Sequence, residues 1–277
     1  MIRILLPMIT YPDGNSTRIA AHAANIAKTL NARIDAFVLT ASFPNVSNAL
    51  GELLVDIPAL LAEVRAQGRD RSRNLLETLM ARTSKLGIAV TSEEVSCHPA
   101  MFGEKVAERA RYADLVVCAL NKQDEALKDA ATAAIFGSGK PVLLVPEEGD
   151  LGELSKVMIA WDGSRVAARA VADAIPFLVQ AKQVVIAEVA DEKLLPDQQA
   201  SERLLKYLNE RDVNASTVTL DLAGRSISEC LQSEALALHI ELLVMGGFGH
   251  SRVRDFILGG ATKGLIADIQ IPTLMSH

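Results

Sequence analysis

The chain of 277 residues has few aromatic residues, few cysteines and no hydrophobic run of membrane-spanning length. Aromatic residues make up 4% of the sequence and hydrophobic residues 49%, so the core must be built from Ala, Val, Leu and Ile. No apolar run reaches the roughly 18 residues that a membrane helix needs. The N-terminal segment Met1–Pro7 is too short for a signal peptide and is typical of a strand. These absences favour a globular cytoplasmic protein.

The chain also lacks a block of charge of either sign. The net charge is −6, from 28 basic and 34 acidic residues that are spread over both halves. Nothing in this distribution indicates nucleic acid or an anionic membrane surface as a partner. The cysteines Cys97, Cys118 and Cys230 have no CxxC spacing and no histidine at ligand spacing. We therefore expect reduced, mostly buried thiols, with Cys118 in the core.

Several catalytic motifs are missing. The sequence has no G-x4-G-K-[ST] phosphate loop, no G-x-G-x-x-G after a strand, no G-x-S-x-G elbow and no HExxH pair. His22 and His239 fall in predicted helices, and His98, at a predicted strand end before a proline, is a weak candidate for a residue that faces a site. The sequence therefore predicts no catalytic residue and no metal site.

The two halves of the chain carry the same series of signals. Each begins with an apolar strand (Ile2–Leu6 and Val157–Trp161), followed by an Asp-Gly turn and an Ala-rich helix. Alternating strands and helices, with aliphatic strands, favour a parallel sheet that is covered on both faces. A charged linker at 147–153 predicts domains over residues 1–148 and 154–277. The other predicted strands are 34–40, 88–95, 114–119, 142–145, 183–189, 214–221, 241–245 and 273–276, and the predicted helices include 17–31, 59–86, 101–112, 165–181, 197–211 and 226–238.

The most informative motif follows the apolar strand Leu242–Met245. It is a glycine segment, residues 246–260, with the sequence Gly246-Gly247-Phe248-Gly249 at its start and the pair Gly259-Gly260 opening a predicted helix. Glycine lets the backbone approach a ligand without a Cβ clash, and free N–H groups at a helix N-terminus bind phosphate. In a doubly wound sheet such a site is expected at the carboxyl ends of the strands. The alternative is a glycine-rich turn that binds no ligand.

These features resemble the universal stress protein family in its tandem form. The residues that carry the resemblance are the G-x2-G-x9-G spacing from Gly246, the stretch Met245–Ser251, the turn Trp161–Ser164 and the strand Ala113–Val117. The resemblance covers essentially the whole chain. It implies an α/β protein with two flavodoxin-like (adenine nucleotide α-hydrolase-like) domains, each a five-stranded parallel sheet with helices on both faces.

The family often binds ATP or a related nucleotide, with or without Mg²⁺, and its domains pair through their last strands. The resemblance therefore implies that strands 142–145 and 273–276 pair within the chain. A homodimer is also compatible with the sequence, and any protein partner is unidentified.

Carried over residue by residue, the resemblance implies a nucleotide site in the second half. Asp162 would contact adenine, and the first glycines would let the backbone approach the ribose and the inner phosphates. The N–H groups at the helix start would meet the outer phosphates. His250 and Arg252 could add donors, although a solvated loop face explains them equally well. The implied nucleotide-binding residues are Asp162, Gly246, Gly249, His250, Arg252, Gly259, Gly260, Ala261 and Thr262.

Gly260 departs from the family pattern, which has Ser or Thr immediately after the third glycine. A hydroxyl bond to a charged phosphate contributes about 1.5–3 kcal/mol. The backbone donors remain, and Thr262 supplies a hydroxyl in the first helical turn.

The first half departs further. Ala119 stands in the place of Gly246, and strand one ends at Pro7-Met8 with no Asp in the place of Asp162. Counting back from Pro141 places Lys128 at the position of Gly259, which makes this loop four residues shorter. The acidic residues of this stretch would repel a triphosphate; they are Asp124, Glu125 and Asp129. We therefore expect nucleotide in the second half only.

The first half also has an extra segment, Phe43–Ile57, which predicts either a lid or partner surface or packing on its own sheet. The sequence as a whole favours a stress-response protein that binds an adenine nucleotide and acts as a regulatory or signalling module. The alternatives are a slow ATPase, a tandem module that binds partners without nucleotide, and a module that binds another ligand in its first half.

Overall fold

The computed structural model describes residues 1–44, 56–149, 151–190, 199–247 and 260–277. Within these ranges each half of the chain alternates strands and helices. The strands are β1 (Ile2–Ile9), β2 (Ala32–Ala41), β3 (Val90–Cys97), β4 (Leu115–Leu120), β5 (Val142–Pro146), β6 (Lys156–Ala160), β7 (Gln183–Val189), β8 (Ala215–Leu220), β9 (Leu242–Gly246) and β10 (Thr273–Ser276). The helices are α1 (Arg18–Thr29), α2 (Ile57–Ser84), α3 (Phe102–Ala110), α4 (Glu125–Gly137), α5 (Arg165–Leu178), α6 (Ala200–Asn209), α7 (Ile227–Ala237) and α8 (Gly260–Ala267).

The strands form one 10-stranded sheet in the order β3-β2-β1-β4-β5-β10-β9-β6-β7-β8. All neighbours within each group of five run parallel, and β5 and β10 run antiparallel, with Leu143 opposite Leu274. The strand order reverses between β1 and β4 in the first half and between β6 and β9 in the second. Such a switch point is where doubly wound sheets bind ligands. The predicted fold class is confirmed.

Aliphatic side chains on both faces of the sheet hold the helices. One buried cluster joins the sheet to α1, α2, α5 and α6, and the other joins it to α3, α4, α7 and α8. Leu143 and Leu274 belong to the first cluster, together with residues such as Ile4 and Val244 from the middle of each half. The apolar core is therefore continuous across the contact between β5 and β10.

The helix starts follow local signals in the sequence. The side chain of Asp56 accepts a hydrogen bond from Ala59 N at the start of α2. Ser164 caps α5 by accepting from Ala167 N, and Ser226 forms a capping box with Glu229 at the start of α7. No helix in the described ranges is both long and apolar enough to cross a membrane.

The predicted end of the first strand is wrong. Strand β1 continues through Pro7 to Ile9, because its pairing with β2 extends to Ile9 opposite Leu39. A proline usually ends a central strand, since it lacks a donor. Here β1 pairs with β4 only at Ile4 and Leu5. Beyond Leu5, the edge of β1 that faces β4 has no interstrand hydrogen bond that a proline could remove.

The register also changes which residues of the two halves correspond. Ile4 pairs with the first residue of β4, as Val157 pairs with the first residue of β9. Asp162 lies five residues after Val157, so its counterpart in the first half is Ile9, five residues after Ile4. The sequence alone predicts this counterpart at Pro7-Met8. Ile9 is buried and apolar, so the expected lack of an Asp at this position in the first half holds.

The three cysteines are free thiols. Cys118 lies in the middle of β4, and burial raises the pKa of its thiol to about 12. The prediction that Cys118 is a core residue is confirmed. Cys230 is also buried, and Cys97 is partly buried.

Removing part of the shared core should destabilise the whole protein. Leu274→Ala truncates a side chain that is 0% exposed, and we expect a loss of about 2–5 kcal/mol in the free energy of unfolding. The control Leu236→Ala, at a position 46% exposed, should change it by less than about 0.5 kcal/mol. Urea unfolding followed by circular dichroism measures both. A biphasic curve in which Leu274→Ala weakens one half only would contradict a continuous core.

Candidate functional site

The switch point of the second half is formed by the turn that follows β6. Ser164 N donates to Asp162 Oδ1 at 2.9 Å, and Gly163 takes a φ of +70° between them. The next bond, from Ala167 N to Ser164 Oγ at 3.2 Å, starts α5. Asp162 remains partly exposed at the carboxyl edge of the sheet. The carboxylate therefore shapes the turn and is also accessible from solvent.

Gly246, the last residue of β9, lies against the first turn of α5. A Cβ atom at this position would lie 2.7 Å from both Ala167 N and the carbonyl carbon of Val166. This contact alone requires glycine, and it brings the end of β9 next to the Asp162 turn. Gly247 forms a bend directly after β9, and its N–H donates to Ser276 O at 2.8 Å.

Helix α8 begins with Gly260, which is exposed, and Ala261, which is half-buried. Thr262 is 2% exposed, so its hydroxyl lies on the protein-facing side of the helix. The helix packs closely on α7, because a Cβ at Gly264 would lie 2.2 Å from Ser228 Oγ. The accessible donors of the first turn are therefore the backbone N–H groups near Gly260 and Ala261.

Four of the predicted site residues lie outside the described residues: Gly249, His250, Arg252 and Gly259. Of the others, the structure places Gly246 against the first turn of α5, which follows the Asp162 turn, and places Gly260, Ala261 and Thr262 at the start of α8. In the described part of the chain, no group of three or more His, Cys, Asp or Glu side chains could hold a metal ion.

A groove between α5 and α6 opens beside the Asp162 turn. It has a volume of about 470 Å³, and Trp161, Asp162 and Gly163 line one end. Val171 and Leu204 contribute apolar walls. A concave, mostly apolar space with a few polar groups is typical of small-molecule sites. Sequence reasoning missed this groove, because its walls come from two helices separated by a strand.

In the first half, a carboxylate of the protein occupies the corresponding helix start. Asp124 caps α4, and its Oδ1 accepts from Ala126 N at 2.9 Å and from Leu127 N at 3.3 Å. Its Oδ2 accepts from Gly14 N, in the turn after β1, at 2.9 Å. Asp124 is 3% exposed. A helix N-terminus favours a nearby negative charge, and at α4 that charge is an internal side chain of the protein.

A second buried carboxylate closes the same edge of the first half. Glu147, directly after β5, accepts hydrogen bonds from Ser16 N and from Asn121 Nδ2, the latter at 2.8 Å. Asn121 Oδ1 in turn accepts from Asp124 N at 2.7 Å, and Asn15 Oδ1 accepts from Ile9 N at 2.8 Å. The turns after three strands are thus tied together by side chains.

The count that placed Lys128 at the start of the helix is wrong. Helix α4 begins at Glu125, and Lys128 lies inside it, where its Nζ bonds to Lys122 O at 2.7 Å. Four residues, 121–124, separate β4 from α4, whereas thirteen, 247–259, separate β9 from α8. Counting assumed helices of equal length. An Asp four residues after a strand and just before an Ala-rich run is an N-cap signal that could have identified Asp124.

Comparison with known proteins gives a family match for the second half of the chain. The profile of the universal stress protein family matches residues 153–277. The second half of this chain is thus a universal stress protein domain. A search of curated proteins gives no match.

Solved structures resemble the whole chain. A universal stress protein from Archaeoglobus fulgidus DSM 4304 is 15% identical, with a TM-score of 0.71, over 99% of this chain and 97% of that one. A protein of Pseudomonas aeruginosa UCBPP-PA14 proposed to be a universal stress protein is 14% identical, with a TM-score of 0.57, over 99% and 92%. These likenesses extend the fold of the family to the first half.

Removing the internal anion of the first half should destabilise the protein. Asp124→Ala leaves the cap of α4 and the buried Gly14 N–H without an acceptor, and we expect a loss of about 1–3 kcal/mol. Asp124→Asn, which keeps a capping oxygen, should lose less. The control Asp129→Ala is exposed on the same helix and should be nearly neutral. Thermal unfolding checks all three, and equal effects of the Asp124→Ala and Asp129→Ala changes would contradict a structural role for the carboxylate.

Proposed function

We propose that the second half binds an adenine nucleotide, ATP or a similar molecule, and that the protein is a regulatory or signalling module of the stress response. The observation that carries this proposal is the apolar groove of about 470 Å³ that opens beside the partly exposed Asp162. A flat base fits between apolar walls, and a carboxylate at the rim accepts a hydrogen bond from an exocyclic amine. A cytoplasmic location is part of the proposal.

The phosphates would extend from this groove toward the glycine segment. Gly246 ends β9 against α5, and the first turn of α8 offers backbone N–H groups near Gly260 and Ala261. These donors suit an anion. Any Mg²⁺ would be held mainly by the phosphates, because the described residues contain no cluster of metal ligands.

The first half is proposed to bind no nucleotide. Asp124 already supplies a negative charge at the start of α4, and the segment before that helix has only four residues. A phosphate would have to displace a buried carboxylate with three backbone hydrogen bonds. This half would serve as a structural or partner-binding copy, and the role of the segment 43–57 stays a prediction, since residues 45–55 lie outside the described ranges.

Slow ATP hydrolysis and a tandem module without nucleotide are the competing functions. Hydrolysis needs a group that orients water beside the phosphates, and the proposal places the carboxylate of Asp162 at the adenine instead. A module without nucleotide is compatible with the packing reason for Gly246. Identifying the small molecules released when the purified protein is denatured separates these functions: an adenine nucleotide supports the proposal, and its absence together with no ATP binding overturns it.

Asp162→Ala should weaken ATP binding by about 10- to 100-fold, because a charge-assisted hydrogen bond of roughly 1.5–3 kcal/mol is lost. Asp162→Asn keeps an oxygen for the Ser164 N–H and isolates the effect of the charge. The matched control is Asp13→Ala, in the exposed Asp-Gly turn of the first half, which should leave affinity unchanged. Titration calorimetry decides the matter. Equal losses of ATP affinity in Asp162→Ala and Asp13→Ala, or two ATP sites per chain in the parent protein, would contradict a site in the second half only.

Gly260→Ser restores the hydroxyl of the family motif and should tighten ATP binding by up to about tenfold, with a smaller effect for AMP. Gly260 is helical, and apart from its own helix no described residue has an atom within 4 Å of the place of its Cβ, so none of them obstructs a serine. The change should also leave the melting temperature of the ligand-free protein unchanged. Unaltered affinity in a stable variant would mean that the outer phosphates bind elsewhere.

A further inference from the structure

The start of the glycine segment lies against a helix of the first half. Gly247 is the residue that follows β9, and a Cβ at this position would lie 3.3 Å from Ile135 Cγ2 and 3.9 Å from Phe136 Cε1. Both side chains belong to the C-terminal turn of α4. A Cβ here would require the Ile135 side chain to shift by a few tenths of an ångström, so this contact between the two halves of the chain favours glycine.

His277 links Gly247 to the same helix. Its Nδ1 lies 2.9 Å from Gly247 O, so the tautomer with a proton on Nδ1 donates to this carbonyl. The imidazole meets Phe136 edge to face, with ring centroids 5.1 Å apart and an interplanar angle of 74°. Since the N–H of Gly247 also donates to Ser276 O at 2.8 Å, both polar groups of Gly247 are held.

The far end of the same region also contacts the first half. Asp268, one residue after α8, pairs with Lys122 Nζ at 2.7 Å, and α4 packs against α8. The ion pair is largely exposed and contributes little energy. It nevertheless shows that the first half contacts the second half at two places. One is Gly247, directly after β9, and the other is Asp268, directly after α8.

We propose that α4 of the first half positions the start of the glycine segment of the second half, with Phe136 and His277 as positioning residues. Glycine loses more conformational freedom on ordering than any other residue. A Gly247 that is already fixed reduces the entropy that phosphate binding must overcome, which raises affinity without a new contact to the ligand. The effect on affinity rests on the proposed function, whereas the positioning of Gly247 does not.

Amide hydrogen exchange on the full-length protein tests the positioning without any nucleotide. His277→Ala and Phe136→Ala should accelerate exchange at the Gly247 amide by about 3- to 10-fold, as expected for the loss of one hydrogen bond or ring contact. His277→Asn, whose side-chain amide can reach the position of Nδ1, should restore part of the protection. The control Tyr112→Ala removes an aromatic ring that is 71% exposed and should have no effect. Unchanged exchange in both His277→Ala and Phe136→Ala would overturn the proposal.

Calorimetric titration of the same variants with ATP and with adenosine tests the consequence. ATP should bind about 3- to 10-fold more weakly to His277→Ala and Phe136→Ala, with partial rescue by His277→Asn, while the affinity for adenosine stays that of the parent. Equal losses for ATP and adenosine, or faster exchange with unchanged ATP affinity, would overturn the role in phosphate binding. A parent protein that binds neither ligand would overturn the proposed function instead, and the exchange rates would still decide whether α4 positions Gly247.

Discussion

The antiparallel contact between β5 and β10 determines how the two halves of this protein lie relative to each other. Because the two five-stranded sheets meet in opposite directions, the carboxyl edge of one half is on the same side as the amino edge of the other. Helix α4 runs from the carboxyl edge of its own half to the amino edge, so its last turn ends beside Gly247. The same geometry brings Lys122 to Asp268. A parallel join would have separated these pairs by the length of a strand.

Charge at the start of one helix distinguishes the two halves. Where α4 begins, the acceptor is Asp124, which is buried and bonded to three backbone N–H groups. Where α8 begins, the residues are Gly260 and Ala261, which offer donors and no acceptor side chain. The requirement is the same in both halves, since a helix N-terminus favours negative charge. The first half meets it with its own Asp124, whereas the described residues of the second half supply no such carboxylate at the start of α8, which suits the ligand that we propose.

Most of the element positions follow from aliphatic runs and cap residues, which act over a few neighbours. The exceptions depend on distant residues. The sequence predicts a strand end near Pro7, but the pairing with β2 extends β1 to Ile9. Counting from Pro141 misplaced the start of α4, because helix length is set by packing. Glu147 bonds to a residue 131 positions away, and the contact of His277 with Gly247 needs the final strand in place. No local pattern encodes such contacts. At the candidate site, spacing indicated the glycines and the family resemblance implied Asp162, while the groove between α5 and α6 required the fold.

The continuous core around Leu143 and Leu274 also bears on how such a protein can diverge. In a symmetric dimer of identical subunits, every substitution appears twice, on both sides of the two-fold axis. An acidic side chain that capped one helix start would cap the equivalent helix of the other subunit as well. Joining the copies in a single polypeptide removes that constraint while keeping the paired architecture. Each copy can then accept changes that its neighbour does not share, so Asp124 and Gly260 can coexist in one molecule.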